Sequence, residues 1–101
     1  MRKKRENRIV FDESFIKDMR ELLDYISERS LSSARQIKSR IFKGVSFLTE
    51  FPQLGKSADE VLMPGRRYLI IEEYIFLYVI SEKEIHIQRL ISEKQDYFRY
   101  L

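Results

Sequence analysis

The chain has 101 residues, 44% of them hydrophobic and 13% aromatic, enough for one compact core and too few for two. With 35% of residues charged and no apolar run approaching the roughly 18 residues of a membrane-spanning helix, a helical membrane protein is excluded. The absence of Cys rules out disulfides and thiolate metal sites. With His86 as the single histidine, a His-based zinc site is disfavoured too, and no cofactor is expected.

The formal charge of +3 is unevenly spread. Arg2, Lys3, Lys4, Arg5 and Arg8 stand against Glu6, so residues 1 to 8 carry +4 and the other 93 carry −1. One domain over 1–101 is expected, with residues 1–5 as a flexible basic leader able to add phosphate contacts and 92–101 as a C-terminal tail. No signal-peptide apolar core follows the basic N-terminus, so a cytoplasmic protein is expected.

In chain order, Ile9, Val10 and Phe11 form a β-prone run, predicting a strand over about 6 to 11, and Asp12 follows as a helix N-cap. Phe15, Met19, Leu22, Leu23 and Ile26 recur at three- and four-residue steps, the pattern of one amphipathic helix. Ser30-Leu31-Ser32-Ser33 supplies capping residues, after which Ala34, Ile37, Ile41, Val45 and Leu48 repeat the spacing to about Glu50. So short a link makes the two helices an antiparallel hairpin. Pro52 and Gly55 end the second helix and open a loop over 52 to 65. Arg66–Glu72, Tyr74–Ile80 and Glu84–Ile91 are β-branched and aromatic runs joined by short polar links, which predicts a three-stranded antiparallel meander. The fold class is α+β, in the order β-α-α-β-β-β, with the helices on one face of the sheet.

Strict alternation puts Tyr74, Phe76, Tyr78 and Ile80 on one face and Ile75, Leu77 and Val79 on the other. Likewise Tyr68 and Ile70 oppose Leu69 and Ile71, and Ile85 and Ile87 oppose Leu90. Neither face is polar, yet a helix hairpin covers only one. The second face therefore needs a cover, either the aromatic tail or a partner chain.

Layout and local motifs together resemble the RelE/ParE toxin superfamily of type II toxin-antitoxin systems across nearly the whole chain. Phe51-Pro52-Gln53-Leu54-Gly55 resembles the family's "FPxxG" junction, Gly65-Arg66-Arg67-Tyr68 its glycine-arginine opening of the following strand, and Tyr74-Ile75-Phe76-Leu77-Tyr78 its next strand. Arg89-Leu90-Ile91 followed by Asp96 sits where ParE-like members carry arginine, two apolar residues and His-Gly-Arg-Arg-Asp. Here Ser92, Glu93, Lys94 and Gln95 replace His-Gly-Arg-Arg, and Leu69, Ile70 and Ile75 stand where RelE-like ribonucleases carry cations. The resemblance implies a toxin of the ParE-like branch that inhibits a macromolecule such as DNA gyrase and is neutralised by a cognate antitoxin in a hetero-oligomer. Its candidate partner contacts are Arg66, Tyr68, Tyr74 and Phe98. The alternatives are a RelE-like mRNA endoribonuclease, acting on the ribosome or free, and a non-toxic regulatory member.

A ribonuclease that uses the RNA 2′-hydroxyl needs a base, cations for the phosphorane and an acid for the leaving oxygen. Arg67, Arg89, Lys94 and Tyr97 are the candidates. The competing expectation makes Arg67 and Arg89 sheet-edge arginines neutralised by Glu72, Glu84 or Asp96. His86, mid-strand, is expected to be a structural histidine bonded to a neighbour. Glu72-Glu73 and Asp59-Glu60 read as solvated turn charges, and no glycine-rich loop supports nucleotide hydrolysis.

Overall fold

The computed structural model describes residues 7–58 and 65–92. Strand β1 (Arg8–Phe11) leads into helices α1 (Glu13–Ser27) and α2 (Leu31–Ser46), and a single 3₁₀ turn, Phe47–Thr49, extends the second. β2 (Lys56–Ser57), β3 (Arg66–Ile71), β4 (Tyr74–Ser81) and β5 (Glu84–Ser92) follow. They form one five-stranded sheet in the order β1-β5-β4-β3-β2. β1 runs parallel to β5 and the other pairings are antiparallel. The helix hairpin thus carries the chain across the sheet, from β1 at one edge to β2 at the other, and the meander then returns it to β1's neighbour β5. No helix among the described residues is long and apolar enough to cross a membrane.

Both helices start where capping chemistry permits, by different means. Ser30 Oγ accepts the Ser33 N–H at 3.1 Å, satisfying one of the orphan donors of α2. Asp12 occupies the N-cap of α1, and its carbonyl accepts the Ile16 N–H, but its side chain makes no cap bond. The carboxylate instead faces His86 Nδ1 at 3.7 Å. The expected cap is therefore right in place and wrong in chemistry, because the parallel pairing brings β5 alongside.

The core lies between the hairpin and one sheet face: Phe15 and Met19 of α1, Ile41 and Val45 of α2, and Leu48 meet Phe76, Tyr78, Ile85, Ile87 and Leu90. Phe11 links the layers, stacking on Phe15 with centroids 5.3 Å apart and meeting Phe42 edge-on at 5.7 Å. On the opposite face Ile75, Leu77 and Ile91 are buried, with Tyr68 packed beside them. The apolar second face is thus present and covered in part: Ile70, paired with Ile75, stays 54% exposed. The tail proposed as its cover lies outside the described residues, as do the leader and Asp59-Glu60.

Two departures from the expected pattern are informative. Leu90 joins the helix-side core with Ile85 and Ile87 instead of opposing them. The cause is a register shift: Tyr78 pairs with Ile87 but Leu77 with Arg89, so Gln88 is an extra residue and inverts the alternation beyond it. The second departure is β2, which falls in the expected loop and pairs Lys56 with Tyr68 and Ser57 with Arg67. A strand of two residues has no period to detect.

Both meander turns have two residues and impose left-handed backbone on non-glycine residues: Glu72 and Glu73 have φ of 54° and 73°, and Glu82 has 52°. Positive φ at both central positions is the signature of the hairpin turn that favours Asn-Gly. Two adjacent carboxylates therefore add repulsion to strain. Glu73→Gly is expected to stabilise the fold by about 1 kcal/mol, read as a higher urea midpoint at unchanged slope; a lower midpoint would refute the strain.

Candidate functional site

The FPxxG-like junction and the strand arginine meet in one knot. Tyr78, wholly buried, accepts a hydrogen bond from the Gly55 N–H at 2.8 Å and donates its own to the Pro52 carbonyl at 2.8 Å. Arg67, opposite Tyr78 in the β3–β4 register, donates from Nη2 to the Gly55 carbonyl at 2.8 Å and to Gln53 O at 3.3 Å, with Nε at 3.2 Å from Gly55 O. Gly55 is required by proximity: a Cβ there would stand 2.4 Å from Tyr68 O and 2.7 Å from the Tyr78 hydroxyl. The expected carboxylate partner of Arg67 is replaced by backbone carbonyls. Phe51 and Leu54 remain about half exposed at the rim, at 53% and 49%.

Arg89 is held elsewhere. Its Nε and Nη2 grip Asp18 of α1 as a fork, at 2.8 and 2.9 Å, and the Leu90 N–H donates to the same carboxylate at 3.0 Å. The bulge at Gln88 sets this geometry. Asp18, not Glu72 or Glu84, is therefore its described carboxylate partner, Asp96 lying outside the described residues, and no sequence period reveals it because Asp18 and Arg89 are 71 apart. Around the pair lies a cleft of about 480 Å³ between α1 and β5, lined by Lys17, Glu21, Tyr25 and Ser92 among others.

The remaining candidates among the described residues do not converge. Arg66 donates from Nε to Gln88 Oε1 at 3.0 Å, while its buried Nη1 has no partner among the described residues. Tyr68 packs on the Ile75 face and Tyr74 on the helix-side core. The Tyr74 hydroxyl is pushed above its ordinary pKa by burial first and then by the charges of Glu73 and Glu72. Lys94, Tyr97 and Phe98 lie outside the described residues. His86 is a structural bridge, as expected for a lone strand histidine: Nε2 is 3.0 Å from Glu84 Oε1. No group of metal-ligating side chains forms among the described residues.

A second feature, not anticipated from the motifs, is a groove of about 340 Å³ between the helices, with Phe11, Phe15, Ile16, Met19, Leu23 and Phe42 in its walls and Arg20, Asp24 and Lys38 at its rim. Ile16 is 43% exposed there. Its signal in the sequence was an α1 stripe wider than one sheet face can cover.

Asp18→Asn should cost about 2 kcal/mol, since it leaves a half-buried guanidinium without its counter-charge. Chemical denaturation checks this, and an unchanged midpoint would show that the fork is incidental. At the β1 edge, the hydrogen bond from Arg8 chiefly holds the Glu84 carboxyl below its ordinary value, opposed by desolvation and reinforced by the charges of Arg8 and His86. A carboxyl depressed on folding contributes above its unfolded pKa and loses that contribution as pH falls through the folded value. The urea midpoints of the wild type and Glu84→Gln should therefore differ near neutrality and converge in acid; a constant gap would contradict the linkage.

A family model described as "ParE toxin of type II toxin-antitoxin system, parDE" matches residues 9–97. Among solved structures, "Chromosomal ParDE TA system from P. aeruginosa" contains a chain with a TM-score of 0.73 and 22% identity, covering 88% of this chain and 98% of that one. At that identity the likeness speaks for the fold alone. No curated protein matches. The family match spans both helices and every described strand from Ile9 onward, and the chain belongs to the ParE toxin family of type II toxin-antitoxin systems, within the RelE/ParE superfamily.

Proposed function

We propose that this toxin acts in the cytoplasm by binding a macromolecular target, DNA gyrase being the leading candidate, and that a cognate antitoxin neutralises it in a hetero-oligomer. The observation that carries this reading is the engagement of the two strand arginines. Arg67 is spent on the carbonyls of Gly55 and Gln53 and Arg89 on Asp18. Transesterification needs cations that meet a scissile phosphate beside a base and an acid. Arg67 and Arg89 are instead parts of the scaffold, while Leu69, Ile70 and Ile75 leave aliphatic side chains where the ribonuclease branch carries charge.

The open apolar groove between the helices fits the second half of the proposal. Exposed apolar surface of this kind is where a protein partner gains affinity. The relative from P. aeruginosa is described as part of a ParDE system, which supports an antitoxin as that partner.

Expression without an antitoxin should arrest growth with a DNA-damage response, and the purified protein should inhibit supercoiling by gyrase. Normal supercoiling in a large excess of protein overturns the gyrase assignment. Transcripts cut at the onset of arrest would favour the ribonuclease, and harmless expression the regulatory member.

A further inference from the structure

The two helices follow opposite electrostatic plans. On α1, Glu13, Lys17 and Glu21 fall four residues apart, as do Arg20 and Asp24, so signs alternate along the surface. That is the arrangement of a solvated face. α2 carries Arg35, Lys38, Arg40 and Lys43, all exposed, and no carboxylate at all. Over residues 9–101 there are 14 Lys and Arg against 15 Asp and Glu, and without α2 there are ten against 15. Positive charge is therefore concentrated on this helix within a body that is otherwise acidic. Arg40 meets Glu72 at 3.5 Å, whereas Arg35, Lys38 and Lys43 have no ion-pair partner among the described residues.

We propose that the exposed face of α2 is a docking surface for double-stranded DNA, gripped at its phosphodiester backbone by Arg35, Lys38 and Lys43, with Gln36 and Ser39 as neutral hydrogen-bonding neighbours. Successive turns of the helix bring Arg35, Gln36, Ser39 and Lys43 onto one stripe, and ten of its 16 residues are exposed. Every side chain in the stripe can donate a hydrogen bond to a phosphate and none repels one. The one exposed apolar side chain of α2 is Leu31, a turn before Arg35; a single residue at the helix end is not the apolar core that an acidic protein partner would need for its interface or an anionic membrane for insertion. Single strands are held by stacking on exposed aromatics. The one aromatic of α2, Phe42, is half-buried against Phe11, and the exposed Phe47 that follows the helix is a single ring, where a strand needs successive ones to stack its bases. The major groove of B-form DNA, about 12 Å wide, admits a helix, while that of an A-form duplex is too narrow. Arg35 and Lys43, eight residues apart, span about 12 Å along the axis.

The surface stands independently of the target proposed above, since DNA binding is measured without gyrase. The test uses the full chain and a fluorescein-labelled 30-base-pair duplex of arbitrary sequence, followed by anisotropy between about 50 and 200 mM salt. Arg35→Gln/Lys38→Gln/Lys43→Gln should weaken binding at least about 10-fold at the low-salt end and flatten the slope of log K against log salt by about 3. The basic leader is present in every variant, so the difference belongs to α2, and circular dichroism verifies that the fold is kept. Lys17→Gln/Arg20→Gln on α1 should bind like the wild type. Equal binding by the wild type and the triple variant overturns the proposal. So does equal preference of the wild type for a single strand of the same length, an A-form RNA duplex, or phosphatidylserine vesicles.

Discussion

A phenol sealed from water needs a donor and an acceptor inside the protein, and Tyr78 takes both from one five-residue junction. Much of the architecture follows from that demand. To present the Gly55 N–H and the Pro52 carbonyl to one hydroxyl, the chain must stop the helical hairpin, turn sharply and pass against β3 so closely that no Cβ fits at Gly55. Arg67 closes the loop from the other side by capping the carbonyls that the turn leaves behind. The two residues of β2 are a consequence: the chain leaving Gly55 is already alongside β3 and pairs with Arg67 and Tyr68. The junction motif, the strand arginine and the strand tyrosine are thus one structural unit, and their joint presence records a fold rather than a reaction.

The opposite end of the sheet is organised by the extra residue at Gln88. Inverting the alternation sends Leu90 into the core and frees Gln88 to meet Arg66. It also carries the Leu90 N–H and the Arg89 fork to the same carboxylate on α1. One backbone irregularity therefore fixes the helix hairpin against β5. An Asp18 carboxylate that receives three hydrogen bonds is well compensated for its desolvation, whereas removing it deprives three donors, Arg89 Nε and Nη2 and the Leu90 N–H, of that acceptor.

What the sequence made legible follows the range of each signal. The helices and the three long strands are written in short periods, and the Ser30 cap is a local bond, so all were readable. The two apolar faces were readable for the same reason. The phase of β5 beyond Ile87 was not, because a bulge is decided by the partner strand. Nor were the partners of Arg67 and Arg89, since backbone carbonyls leave no trace in composition and Asp18 sits on an element with several equivalent-looking carboxylates. The Asp12 side chain was misassigned because β1 pairs in parallel with the last strand, a long-range choice that places His86 beside it. The family resemblance reached the fold correctly; the roles of its arginines had to be read from geometry.

The division of labour between the two sides of the helix hairpin bears most directly on action. Apolar side chains line the groove between α1 and α2, and cations occupy the outer face of α2, with Lys38 common to both as a rim residue. A protein segment lying in the groove would sit within a few ångströms of the cationic stripe without needing its charges for affinity. Like charges along one helix cost some stability, and that cost is spread over Arg35, Lys38 and Lys43 with only Arg40 relieved by Glu72. Neutral residues at these positions would serve packing equally well, since none of the four is buried. The charge is therefore not explained by the fold, in contrast to Arg67 and Arg89, whose placement the fold explains fully. The arginines expected to mark chemistry turn out to hold the scaffold together, and the cations left for an external partner lie on the helix that no motif had singled out.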